Sequence, residues 1–402
     1  MNSLSLSLAY LRHRLLGTLL SALTFASGIA VIVALLLMNA QLNNEFTKNL
    51  NHIDLVVGGK GSPMQLILSS VFHLDIPTGN IPLEEAEKLE QHPLVKTAIP
   101  VALGDNYNGF RIVGTNADYI THYDGKFAAG RTFQQPMEAV LGSEVAAQYH
   151  HQLGDKIVGA HGLVNSDDLH SDFPYNVVGI LAPTNTVLDR LVLTPVESVW
   201  HVHEHPDADD PEEVAYKKAH PGKELTALLI TYKSPMAAAS MPREVNKSSS
   251  MQAASPAFEV ARLLSFMGMG SEALKSFGWY LIVLAGFGIF VALYNAMNER
   301  RYDLALMRSF GASPQKLLGL ILTESLLLAG FGALAGIALG HGFVELAAGW
   351  LSQTKHIHLT GALFLPEEKW LVVASLAVGL LAALLPALRV YRIDIFKTLV
   401  QG

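Results

Sequence analysis

The chain has 402 residues, 50% of them hydrophobic and only 16% charged, with a mean hydropathy of +0.31, so it is more apolar than an ordinary soluble globular protein. A formal net charge of -7 argues against a nucleic-acid binder, whose phosphate-reading surface shows as a basic excess. With no cysteine, disulfides, thiolate metal sites and cysteine nucleophiles are excluded, and the redox compartment stays undetermined.

In chain order, the first feature is an uncharged apolar run, Leu15 to Met38, preceded by Arg12 and Arg14. It exceeds the roughly 7 to 15 apolar residues of a signal-peptide core and reaches the about twenty that span a bilayer, so it is read as an uncleaved anchor. Asn39 to Ser276 follows, long enough to bury a core of its own. Its short runs alternate between two periods, an α+β pattern. "IDLVVGG", "LVKTAIPVAL", "GFRIVGT", "FPYNVVGIL", "RLVLTPVESVW" and "LTALLITY" read as strands, and "PLEEAEKLEQHP" as a short helix with acids in its first turn. "EAVLGSEVAAQYHHQLGDKIVGA" reads as strand, helix, turn, strand. Ser234 to Ser255, rich in Ser, Ala and Met, is expected to be irregular. After Pro256 the helical spacing returns and predicts a stalk running into the next span.

The remaining spans are Phe277 to Met297, Leu317 to Leu339 and Trp370 to Leu388. Residues 298–316 connect the first two of these, 340–369 the last two, and 389–402 form a tail. Arg12 and Arg14, then Arg300, Arg301, Arg308 and Lys316, then Arg389, Arg392 and Lys397 flank the spans. By the positive-inside bias these three groups are cytoplasmic, which puts both termini inside and the large domain outside, periplasmic in a Gram-negative cell. The fold class expected is therefore a multi-pass membrane protein with four transmembrane α-helices and a large α+β extracytoplasmic domain between helices 1 and 2.

Several residues carry candidate chemistry. On a helix Arg301 and Arg308 share a face and Leu306 and Phe310 fall on the other, while Gly311 is a natural C-cap before Ser313-Pro314. The segment is either a topology-fixing connector or a docking element. Gly332, Gly336 and Gly340 recur every four residues, a spacing that lets helix backbones approach closely in lipid, within the bundle or between copies. Glu324 is a carboxylate inside a span, where it faces a polar partner or the interface; a proton relay is the sharper alternative. In "WHVHEHPDADDPEE", His201, His203 and His205 alternate, so an extended segment would bring three imidazoles to one zinc, copper or nickel ion. A solvated acidic loop with incidental histidines explains the same run. His150, His151, His161, His170 and His220 add to this histidine-rich region. No G-x-x-x-x-G-K-[ST], G-x-S-x-G or H-E-x-x-H occurs, so no ATPase, hydrolase or zincin is read here.

"ERRYDLALMRSFGASPQKLLGLILTESLLLAGFGALAG" and the tail "LPALRVYRIDIFKTL" resemble the FtsX-like permeases, the group of the MacB, LolC/LolE and FtsX membrane subunits of ABC systems. "RIVGTNADYI", "AAGRTF", "AVLGSEVAAQYHHQLGDKI" and "YNVVGILAPTNTVLDRLVL" resemble, in order, motifs of the MacB-like periplasmic core domain. The resemblance implies a two-lobed periplasmic domain on an inner-membrane subunit that turns ATP hydrolysis into movement of that domain. It implies a separate cytoplasmic ABC ATPase, two copies, holding ATP and Mg, and a second permease chain in a homodimer or heterodimer. A periplasmic or outer-membrane partner and contact with membrane lipid go with it; nucleic acid does not. The coupling residues it implies are Glu299, Arg300, Arg301, Asp303, Leu306, Met307, Arg308, Phe310, Gly311, Ala312 and Ser313. Two rival readings remain, zinc supply or sensing through the histidines and a regulatory scaffold for a periplasmic enzyme.

Overall fold

The computed structural model describes residues 6–9, 12, 15–162, 169–203, 222–299, 301–354 and 359–389. The chain divides into a helical unit, Met1–Asn43 with Phe266–Gly402, and a sheet unit, Asn44–Ser265.

The first long helix is α1, Leu15–Asn49, which continues well past Met38. The sheet unit then runs β1 Leu55–Gly59, α2 Pro63–Ser70, β2 Ile81–Pro82, α3 Leu83–Glu90, β3 Val95–Tyr107, β4 Phe110–Thr115, α4 Asp118–His122, β5 Phe127–Gly130 and β6 Glu138–Leu141. It goes on with α5 Ser143–Tyr149, β7 Lys156–Ile157, β8 Ala160–His161, β9 Tyr175–Leu181, β10 Leu191–Pro195, α6 Val196–Val202, β11 Glu224–Leu225, β12 Ala227–Tyr232, α7 Ala237–Ser248 and β13 Met251–Ala254. The helical unit takes up α8 Pro256–Glu299, α9 Arg301–Ser309, α10 Pro314–Thr354 and α11 Glu368–Arg389.

Nine strands hydrogen-bond in the order β13-β1-β12-β3-β4-β10-β6-β9-β5, with β8 added to β3 and β7 to β9. β10 lies parallel to β4 and β6 parallel to β9, and the other pairs are antiparallel, so this is a mixed sheet of an α+β domain. β3 is the long strand that joins two regions: Val95 to Val101 pair with β12, and Ala102 to Tyr107 with β4. Around the first, Leu55, Val57, Leu228 and Ile230 pack with Ala237, Met241 and Val245 of α7. Around the second, Ile112, Leu141, Val145, Tyr175 and Val192 form a separate cluster.

Two expectations are corrected here. The strand read through "RLVLTPVESVW" stops at Pro195, and Val196–Val202 is a helix. Val196, Val199 and Val202 are buried at three-residue spacing, so one face of a helix, not one face of a strand, satisfies the valines. Ser234 to Ser255, expected to be irregular, contains α7 and β13. Ala237, Met241 and Val245 stand four apart and give the stripe that packs α7, while β13 is held at the sheet edge by its ladder to β1.

Among the described residues, four stretches are long and apolar enough to cross a membrane: Gly17–Asn49, Pro256–Met297, Pro314–Trp350 and Glu368–Leu388. Their shared core holds Phe25, Ile29, Val33 and Leu37 of α1 against Ile282 and Ile289 of α8, Ala329 and Ala333 of α10 and Ala383 of α11. Small residues set the approach distances. A Cβ on Gly336 would lie 2.7 Å from the Ile29 Cβ, and one on Gly340 2.8 Å from the Val33 Cβ. The glycine stripe of α10 is thus filled by α1, the intra-bundle alternative of the two read from the sequence. Ser325 Oγ donates to the Gly379 carbonyl at 2.6 Å, so α10 and α11 also share a polar contact without an unmet group.

Candidate metal centre and coupling helix

β3 carries a bulge between Leu103 and Asn106 in its pairing with β4, and bulges re-aim side chains. Asp105 sits in that bulge, opposite His161 of β8. The β8 turn is fixed by Asn106, whose Nδ2 donates to the Gly162 carbonyl at 3.0 Å, and by the Gly162 N–H, which donates to the Gly104 carbonyl at 3.0 Å. Beyond the turn, Leu169 bridges to Ala160 and the His170 N–H donates to the Gly159 carbonyl at 2.9 Å. His203 follows α6 as its C-cap, tied back by its N–H to the Val199 carbonyl at 3.2 Å.

Four side chains from three places in the chain therefore converge. Asp105 Oδ1 lies 3.1 Å from His203 Nε2, 3.3 Å from His170 Nε2 and 4.0 Å from His161 Nδ1. The three imidazole rings stand 5.3 to 5.6 Å apart centre to centre. One ligand atom from each of the four residues fits within a 4.8 Å span. Asp105 is 1% exposed, and its Oδ2 is buried with no hydrogen-bond partner among the described residues. Burial alone pushes this carboxyl up, but the His170 and His203 imidazoles outweigh it and hold the group down to about 2. Gly104 leaves room for the arrangement, since a Cβ there would lie 2.8 Å from His203 Nε2.

Of the sequence-predicted trio, His201 and His203 are not brought together. His201 lies within α6, where residues two apart point to nearly opposite sides, and its ring packs on Phe173 at 5.3 Å. His203 joins the cluster, and His205 and His220 lie outside the described residues. Asp105 escaped sequence reasoning, and His161 and His170 were legible only as members of a histidine-rich region. A second polar string links the Tyr107 hydroxyl to His151 Nε2 at 2.8 Å and His151 Nδ1 to Asp155 Oδ2 at 3.1 Å. His150 beside it is the left-handed C-cap of α5.

The helical unit presents the other candidate feature. α9 buries Leu304 and Ala305 and leans Met307 on the core. Its opposite face leaves Tyr302, Leu306 and Phe310 exposed at four-residue spacing, Phe310 at 83%. Asp303 is exposed and Arg308 half-buried; Glu299 ends α8, and Arg300 and the Arg301 side chain lie outside the described residues. The helix stops in a Schellman motif: the Ala312 N–H donates to the Met307 carbonyl at 2.9 Å and the Gly311 N–H to the Arg308 carbonyl at 3.0 Å, with Gly311 at φ +93. Ser313 Oγ then accepts the Lys316 N–H at 3.3 Å and caps α10, which starts at Pro314. Glu324, in α10, is buried at 6% exposure.

A model described as MacB-like periplasmic core domain matches residues 18–247, and one described as FtsX-like permease C-terminal matches residues 275–395. The first alone spans more than half of the chain, which belongs to the MacB/FtsX family of ABC transporter permeases. Among curated relatives, the pyoverdine export ATP-binding/permease protein PvdT of Pseudomonas syringae pv. tomato is 24% identical over 400 residues, covering 87% of this chain and 56% of that protein. The uncharacterized ABC transporter permease YknZ of Bacillus subtilis is 26% identical over 121 residues, 29% of this chain and 28% of that one. The chain thus matches about half the length of the first relative and less of the second. Of solved structures, the periplasmic region of MacB from Actinobacillus actinomycetemcomitans covers 54% of this chain, with 97% of its own length aligned, at 11% identity and a TM-score of 0.34. The extracellular domain of the noncanonic ABC-type transporter YknZ from Gram-positive bacteria covers 50%, with 98% of its own length aligned, at 14% identity and a TM-score of 0.30.

Proposed function

We propose that the chain is the subunit through which a cytoplasmic ABC ATPase moves an extracytoplasmic domain in a bacterial inner membrane. In this reading α9 receives the ATPase, α1 and α8 carry its movement, and the sheet unit acts on a periplasmic or membrane client. ATP and Mg bind to the ATPase, since no P-loop spacing occurs in these residues. Two ATPases and a second permease chain complete the assembly.

The observation that carries the reading is the face of α9. Tyr302, Leu306 and Phe310 stay exposed on a short helix outside the four membrane-length stretches, while Leu304 and Ala305 anchor it. An apolar stripe on an anchored helix with a capped C-terminal end is a fitting contact for a groove on a partner. Two further observations support the reading. α1 and α8 each run as one helix across the sequence boundary between the two units, so their backbone bonds are unbroken there. The name of the Pseudomonas relative joins ATP-binding and permease parts in one protein. Orientation rests on the arginines and lysines beside the spans.

The test is ATP turnover by the full chain in nanodiscs with the ABC ATPase that co-purifies with it. Phe310→Ala combined with Leu306→Ala is expected to lower stimulated turnover at least about tenfold, equivalent to about 1.4 kcal/mol of coupling. A variant that stimulates the ATPase as the wild type does would contradict the assignment.

A further inference from the structure

We propose that Asp105, His161, His170 and His203 form a binding site for one divalent transition-metal ion of the zinc class, closed by four protein ligands and clamping the β8 turn and the end of α6 onto β3. A tetrahedral ion with bonds of about 2.0 Å separates its ligand atoms by about 3.3 Å. The observed separations from Asp105 Oδ1 are 3.1, 3.3 and 4.0 Å, and all four ligand atoms lie within 4.8 Å of one another, so one ion would draw the wider pairs inward.

Three features point to a ligand rather than to a hydrogen-bonded core. Imidazole nitrogens of His170 and His203 crowd one carboxylate oxygen, whereas the buried Oδ2 has no partner among the described residues. A carboxylate held only by hydrogen bonds in this protein looks different: Asp189, also buried, takes the Thr184 and Asn185 N–H groups and the Thr184 hydroxyl on its two oxygens. The third feature is access. His161 is 44% exposed while Asp105 is 1% exposed, which provides a way in from solvent to a buried anionic base.

Three imidazoles and one carboxylate suit zinc, and also copper or nickel, better than magnesium or calcium, which prefer all-oxygen shells. With four protein ligands the shell has no open position, so the site is structural or sensing rather than catalytic. Its occupancy joins residues that are far apart in sequence. This inference does not depend on the coupling role of α9, and its failure would leave that role standing.

The experiment uses the full chain in detergent micelles, stripped with a chelator and dialysed against zinc in competition with a chromogenic chelator. The wild type is expected to hold one zinc per chain. His161→Ala, at an exposed position that keeps the fold, and Asp105→Asn are each expected to weaken binding at least about 100-fold, beyond what losing an outer-shell partner costs. His201→Ala is expected to bind as the wild type does. Cobalt in place of zinc should give the intense visible bands of a four-coordinate nitrogen and oxygen shell, lost in His161→Ala. Absence of binding in the wild type would overturn the proposal. So would zinc retained in both His161→Ala and Asp105→Asn but lost in His205→Ala, which would return the metal to the histidine run after α6.

Discussion

On α9, Tyr302, Leu306 and Phe310 are apolar side chains left in the open, whereas in the sheet unit Asp105 is a carboxylate drawn inside among three imidazoles. Other buried polar groups, such as Ser325 and Asp189, have their bonds made by backbone or neighbouring side chains. Exposed apolar stripes and incompletely satisfied buried charges both cost stability unless something outside the chain completes them. The two regions differ in what would complete them, a protein surface in one and a small cation in the other. Single substitutions should therefore disturb one readout and leave the other unchanged.

At a fixed neutral pH the largest expected effect is on the metal side. Zinc at about a thousand times the wild-type dissociation constant should stabilise the wild type by about 4 kcal/mol, read as a rise in melting temperature, and should stabilise Asp105→Asn by no more than about 1.4 kcal/mol. An equal rise in both proteins would break the contrast. Next in size is Asp189→Ala, which strands the N–H groups of Thr184 and Asn185 and is expected to cost roughly 2–4 kcal/mol with zinc binding unchanged. Chemical denaturation reads the first and dialysis the second.

His73 sharpens the comparison as a buried titratable group with its own partner. Its Nε2 meets the Tyr119 hydroxyl at 2.9 Å, and burial, followed by the charges of Arg111 and Arg190, lowers its pKa from 6.5 to about 3. The unfolded chain then binds a proton that the folded chain refuses. Stability from this residue is complete above about pH 6.5 and is lost as pH falls toward 3, by up to about 1.4 kcal/mol per unit. His73→Gln should flatten that part of the pH–stability curve, and an unchanged slope would reject the account. The smallest effect belongs to Phe310→Ala, which should change stability by less than about 0.5 kcal/mol because the ring packs little. A cost of 2 kcal/mol or more would make Phe310 a packing residue and remove it from the docking face.

The helical unit was legible in the sequence because its signals are local. Bilayer-length runs, glycines four apart and "GASP" each read directly as spans, a packing stripe and a helix stop, and α10, α1 and the Schellman turn at Gly311 have that form. Most strands of the sheet unit were legible too, although β-branched valines disguised α6 and sparse apolar residues hid α7 and β13. The cluster was not legible, because pairing Asp105 with His161 is a property of the β3–β8 register and the bulge that aims Asp105 has no local mark beyond Gly104. The alternating histidines misled for a related reason. Their two-residue spacing converges only on an extended chain, and His201 is in a helix.

The central claim, that α9 meets an ABC ATPase, is tested most directly by placing a photo-crosslinking phenylalanine analogue at position 310 of the full chain in its native membrane. The account predicts an adduct with an ABC ATPase, identified by mass spectrometry, and none from the same analogue at the buried position of Leu304. Adducts with lipid alone, or the same products from both positions, would contradict it.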